Sequence, residues 1–91
     1  MQFEWDRGKA AANRRKHGVS FEEATEVFAD PNAAILADPD HSVLEHREII
    51  VGRWQNQLLV ISFTERQDII RIISARRATP RERKRHEENN P

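Results

Sequence analysis

Three stretches rich in β-branched and aromatic residues follow one another through the second half of the chain, at about Glu45–Trp54, Gln57–Glu65 and Ile69–Arg77. Only Gln55-Asn56 and Arg66-Gln67-Asp68 separate them. A parallel crossover needs a dozen or more residues, so each strand must turn straight back on the last and form an antiparallel meander. Ala34–Ala37 reads as a short edge strand ahead of them, followed by a turn at Asp38–His41. The sheet is therefore expected to have three to four strands.

The remaining chain is punctuated for helices. Asp6 is placed to cap a helix over Arg7–His17, and Gly18 to end it in the left-handed conformation. Ser20-Phe21-Glu22-Glu23 is a capping box, followed by Phe21, Ala24, Val27 and Phe28 at helical spacing up to Asp30-Pro31. Thr79-Pro80-Arg81-Glu82 repeats the signal at the other end of the chain, with no apolar stripe behind it. A helix polar on every side is expected to fray unless something binds it. With 91 residues the chain supports one modest core, and residues 1–91 read as one domain. The expected class is α+β, with two N-terminal helices packed on the antiparallel sheet and a short C-terminal helix.

Strand alternation sorts the sheet into two faces. Pairing Arg53 with Leu58 and Glu65 with Ile69 puts Arg47, Ile49, Val51, Arg53, Leu58, Val60, Ser62, Thr64, Ile70, Ile72, Ser74 and Arg76 on one side. Ile50, Gly52, Trp54, Leu59, Ile61, Phe63, Ile73 and Ala75 fall on the other, with Arg71 at its rim. The second, more apolar set is expected to receive the helices. A slip of one residue in the second hairpin would exchange Arg76 for Arg71 on the polar side.

Charge is segregated although the net value is zero: residues 1–17 carry +3, residues 18–48 carry −7 and residues 49–85 carry +6. Eight of the nine basic residues in the last block are Arg, whose planar fork suits phosphate oxygens. That pattern points to an anionic partner such as nucleic acid. Cysteine is absent, which excludes a thiol nucleophile and a disulfide framework. There is no Walker loop, dinucleotide-binding glycine motif, nucleophile elbow or membrane-length apolar run, and the acidic start does not read as a signal peptide. A soluble, cytoplasmic protein without a membrane partner is expected.

The polar face suits RNA cleavage without a metal. That reaction needs a base for the ribose 2′-hydroxyl, cations for the charge growing on phosphorus and an acid for the departing 5′-oxygen. Arg76 and Arg53 are candidates for the cations, and Glu65, His17 and His86 for the proton transfers. Arg66, Arg71, Arg47 and Arg77 are candidates for holding the RNA. No cofactor is called for. His41 and His46, with Asp38, Asp40 and Glu45 nearby, lack the helical spacing of a convincing metal site. The plainer alternative is that these charges pair across a solvated sheet.

Phe3-Glu4-Trp5-Asp6, Asn13, Lys16–Ala24, Val27-Phe28, Asp38, Asp40-His41-Ser42, Thr64-Glu65-Arg66, Arg71–Arg76 and Ala78-Thr79 together resemble the BrnT family, in order and at matching spacing. The resemblance implies a RelE-like ribonuclease toxin that cleaves cellular RNA. It also implies neutralisation by a ribbon-helix-helix BrnA antitoxin, which would link the toxin indirectly to operator DNA. By that analogy Arg76 ranks first for phosphate stabilisation, followed by Arg53 and Arg66. The family often carries Tyr where this chain has His86, and Gly where it has Gln67. Asn13, Ser20 and Phe21 read as capping and packing residues. A non-catalytic nucleic-acid-binding module and a purely structural interaction domain are the competing readings. The first would bind RNA with steep salt dependence and no cleavage, and the second would do neither.

Overall fold

The computed structural model describes residues 1–38 and 46–89. In chain order they form β1 (Gln2–Glu4), α1 (Arg7–His17), α2 (Phe21–Val27), β2 (Ala34–Ala37), β3 (Glu48–Trp54), β4 (Gln57–Arg66), β5 (Ile69–Arg77) and α3 (Pro80–Asn89). The expected turn after Asp38 and the expected strand start at Glu45 lie outside the described residues.

The sheet has five strands in the order β1-β5-β4-β3-β2 and is mixed, which corrects the expected three- to four-stranded antiparallel sheet. The extra strand is β1, parallel to β5 through Gln2–Ile69, Phe3–Ile70 and Glu4–Arg71. Three residues are too few for an alternation pattern to announce them. What seats β1 is Phe3, whose ring meets Phe28 edge-on at 5.2 Å within the core.

Both N-terminal helices form where their punctuation placed them. The Asp6 side chain accepts the Lys9 N–H at 2.8 Å, and Gly18 closes α1 at φ 71°. The Ser20 hydroxyl accepts the Glu23 N–H at 3.0 Å. Together they bury Val19, Phe21, Ala24 and Val27 against Ile50, Leu59, Ile61, Phe63, Ile70, Ile72 and Ala75. β3 comes close enough to α2 that a Cβ at Gly52 would lie 2.8 Å from Val27 Cγ1 and 3.0 Å from Ala33 Cβ.

The first hairpin pairs Arg53 with Leu58 as expected. The second does not pair Glu65 with Ile69. The chain turns on two residues, Gln67 and Asp68, with φ 54° and 67°, so Arg66 meets Ile69. Two left-handed residues in succession fit a two-residue hairpin turn without the usual glycine. The register then changes again at a bulge between Ser62 and Phe63: Phe63 faces Ile72 and Ser62 faces Ser74, leaving Ile73 as the extra residue. Ile70 and Ile72 consequently lie in the helix-covered core, 3% and 1% exposed, and not on the polar side where sequence alone put them. Ser74 and Arg76, beyond the bulge, keep their expected face.

Asn13 closes a gap that this topology leaves. β1 pairs with β5 only as far as Arg71, so among the described residues no strand borders Ala75 on that side, opposite its β4 partner Ile61. The buried Asn13 amide takes that place. It donates to the Ala75 carbonyl at 2.8 Å and the Val19 carbonyl at 3.0 Å, and its oxygen accepts the Ala75 N–H at 3.1 Å. The structure supports the capping-and-packing reading of this residue.

Candidate functional site

The side of the sheet away from α1 and α2 is where the polar strand residues gather, and α3 folds over one end of it. The capping box forms as its sequence predicts: the Thr79 hydroxyl accepts the Glu82 N–H at 3.2 Å, and Glu82 Oε1 accepts the Thr79 N–H at 2.9 Å. This box aims the Glu82 carboxylate back at the end of β5. There it receives Arg76 in a fork, with Nη1 to Oε1 at 2.7 Å and Nη2 to Oε2 at 3.0 Å. The Arg76 hydrogen bond is the main reason the Glu82 carboxyl is held down at about 2, helped by Thr79 and opposed by burial. The same bond raises the Arg76 guanidinium above its ordinary value. Glu82 is therefore an anion at neutral pH, and Arg76 is a cation in a fixed orientation.

The helix has two further attachments. Glu87 lies 3.7 Å from Arg53, and His86 is buried with 7% of its surface exposed. His86 and Glu82 are one helical turn apart on the inner side of α3. They line a groove of about 250 Å³ with Leu36, Ile49, Val51 and Val60. A second small apolar cluster, formed by Val51, Leu58, Val60 and Ala78, lies on the same side of the sheet. The C-terminal helix is thus anchored by charge and by one buried imidazole, without the apolar stripe that a docked helix ordinarily needs.

The structure divides the nine candidates from sequence among several places. Arg76, Arg53 and His86 come together beneath and beside α3. Arg66 and Arg71 lie on the same face at the opposite end, where they border a cradle of about 380 Å³ with Glu4, Thr64 and Ile69. Arg71 Nη1 is 3.0 Å from Glu4 Oε2, and the Thr64 hydroxyl is donated to the His46 carbonyl at 2.7 Å. Arg47 immediately precedes β3, and its carbonyl accepts the Asp38 N–H at 3.1 Å. Glu65 pairs with Ile70 and Arg77 with Leu59, both core residues, so alternation directs these two side chains toward the helix-covered side. His17 is half-buried at the end of α1, also on that side.

Three contributors were missed from sequence. Glu82 was legible as a cap but not as the partner of Arg76, while Glu87 and Glu4 carried no signal beyond their charge. Of the residues weighed for a metal, His41, Asp40 and Glu45 are outside the described residues. His46 Nε2 lies 3.8 Å from Glu48 Oε1. Among the described residues no group of three or more His, Asp or Glu is arranged to hold a metal ion, and no helix is long and apolar enough to cross a membrane.

Fold and face together define a small α+β domain that presents oriented arginines on one side of a mixed sheet. Residues 5–82 match the family model described as the ribonuclease toxin BrnT of type II toxin–antitoxin systems. The chain belongs to that family, which implies an RNA target and a protein antitoxin as partner. No curated protein matches the sequence.

Proposed function

We propose that this chain is a metal-independent endoribonuclease whose chemistry takes place at the α3 end of the sheet. The observation that carries the reading is the fork between Arg76 and Glu82: a permanent cation with its plane fixed, on the face that alternation leaves to polar residues. In the proposed reaction the ribose 2′-hydroxyl gives its proton to water as its oxygen bonds to phosphorus, the phosphorane gathers negative charge, and the bond to the 5′-oxygen breaks as that oxygen takes up a proton, leaving a 2′,3′-cyclic phosphate. Arg76 stabilises the phosphorane. Arg53, on the other flank of β4, adds a second cation. Of the three candidates for proton transfer, His86 alone lies on the same side of the sheet as Arg76, and we assign it the leaving oxygen. Cellular RNA in the cytoplasm is the substrate in this reading, and arrest of growth the consequence.

The same face suits neutralisation by a BrnA-type ribbon-helix-helix antitoxin, whose acidic segment would cover the arginines and connect the toxin to operator DNA. On α3, Glu82 reaches Arg76 and Glu87 lies 3.7 Å from Arg53, so carboxylates already approach both cations.

The test is cleavage of RNA in EDTA by the purified protein. Arg76→Ala is expected to lower the rate about 10²–10³-fold with the fold retained, the usual cost of losing one oriented charge at a developing oxyanion. Full activity in folded Arg76→Ala sinks the assignment, and a requirement for added divalent metal sinks the mechanism. Full activity in folded His86→Gln removes His86 from the proton transfer.

A further inference from the structure

Arg71 and Arg76 are five residues apart on one strand. In a regular strand an odd separation sends two side chains to opposite faces. Here it does not, because Ile73 is absorbed in the bulge. Arg71 pairs with Thr64 and Arg76 with Val60, and those two partners, four apart on the regular strand β4, share a face. Bulges commonly re-aim a side chain near a functional site. This one brings a second basic cluster onto the side of the sheet that carries Arg76.

That cluster is compact. Arg66 is two residues from Thr64 on β4 and diagonal to Arg71 on β5, a relation that keeps long side chains within reach of one another. Both border the cradle that Glu4 closes at the β1 edge. The Arg71–Glu4 pair is exposed on both sides, 43% and 51%, so it is weak and open to exchange for a stronger anion. Between the cradle and Arg76 lie Ser62 and Ser74, paired across β4 and β5 on the same face. Four residues along β4 span about 13 Å. A stacked nucleic-acid strand places one phosphate every ~3.4 Å of its axis, so the span covers about four stacked nucleotides, and fewer if the strand is drawn out.

We infer that Arg66 and Arg71 form a second phosphate-binding subsite, which holds the backbone of single-stranded RNA several nucleotides from the bond beside Arg76. The inference rests on the ribonuclease reading for the direction in which the strand lies, but its test does not depend on cleavage. Each arginine in the cradle grips a backbone phosphate without reading a base. Short RNAs engage only the Arg76 end, and longer ones engage both.

The test uses 2′-O-methyl RNA, which cannot be cut through its 2′-oxygen, as a dinucleotide and an octanucleotide, with affinity measured by fluorescence anisotropy. Wild type is expected to bind the octanucleotide more tightly. Arg71→Ala and Arg66→Ala should each weaken octanucleotide binding about 5–10-fold and leave the dinucleotide unaffected. The slope of log K against log salt should fall by about 0.7 for each phosphate that is no longer neutralised. Glu4→Gln should tighten the octanucleotide, since it removes the competing carboxylate. Equal weakening at both lengths, or no weakening at the longer one, overturns the subsite. So does a hexaglutamate peptide that binds as tightly as the octanucleotide and loses as much in Arg71→Ala, because the cradle would then be a site for acidic protein. Failure of wild type to cut unmodified RNA counts against the ribonuclease reading alone, while the dependence of binding on length still judges the cradle.

Discussion

Replacing Asn13 with Ala is expected to be the most damaging single truncation of a polar side chain in this fold. The amide makes three buried hydrogen bonds, to the Val19 carbonyl and to both backbone groups of Ala75. Each is worth about 1 kcal/mol net when intact, and more when its loss leaves a buried partner unsatisfied. Alanine offers nothing in return and leaves the Val19 carbonyl and both Ala75 backbone groups without this partner, so the expected loss is about 3 kcal/mol. At roughly 0.05–0.15 kcal/mol per residue, a chain of this size has on the order of 5–14 kcal/mol in total. Urea denaturation should therefore show a large fall in midpoint, and hydrogen exchange should show loss of protection at the Ala75 amide in particular. Asn13→Asp sharpens the test. It preserves volume and the acceptor for the Ala75 N–H but sets a negative charge against two carbonyls, so at neutral pH it should cost at least as much as alanine. A loss under about 1 kcal/mol in Asn13→Ala with the Ala75 amide still protected refutes the reasoning, as does an aspartate variant as stable as wild type.

Two further outcomes follow from interactions elsewhere. Glu82 is depressed from 4.5 to about 2, so the Arg76 tether should contribute fully above about pH 4.5 and be lost as pH falls toward 2. Because 39% and 37% of the two side chains are exposed, screening reduces its worth to about 1 kcal/mol. Urea stability of Glu82→Gln should accordingly trail wild type by that amount at pH 7 and converge with it between pH 4.5 and 2, whereas a gap independent of pH contradicts the pairing. Gly52→Ala places a methyl 2.8 Å from Val27 Cγ1 and 3.2 Å from Asp30 Oδ2. Overpacking of this kind costs about 1–3 kcal/mol, which for a chain of this length lowers Tm by several degrees; an unchanged Tm in calorimetry means that α2 yields without cost.

The elements that sequence exposed are those whose cause is local. Asp6, Gly18, Ser20 and Thr79 mark helix ends because a side chain or a left-handed backbone satisfies groups within one turn, and all four act as their positions suggested. The first hairpin was legible because a connection of two residues leaves few registers open. β1 was not legible, since what makes Gln2–Glu4 a strand is the free edge of β5, more than sixty residues away. The second hairpin misled because Gln67 and Asp68 adopt left-handed backbone without the glycine that ordinarily advertises it. Nothing in Ile72-Ile73-Ser74 separately marks the bulge. Its cause is the conflict between a turn that shifts the register by one and a core that needs both Ile72 and Ala75 inward, with an even number of residues between them.

The candidate site shows why that conflict has consequences beyond packing. Ile70 and Ile72 must face the helices, and so must Ala75, whose backbone Asn13 holds. An unbulged strand cannot satisfy 72 and 75 together, because an odd step sends them to opposite sides. One extra residue between them resolves it, and the same step turns both Arg71 and Arg76 outward. A strand that ran through Ile73 without the bulge would have two choices. It could bury Arg71 to keep Ala75 and Arg76 in place, at the cost of desolvating a charge, or keep Ile70 and Ile72 inward and turn Arg76 into the core and away from Glu82. The core therefore enforces the common face of the two arginines. A basic face assembled this way does not depend on contact with RNA to form, so its charges stand oriented before any substrate or antitoxin arrives. That is the condition under which fixed dipoles and charges stabilise a transition state without reorganisation at the moment of reaction.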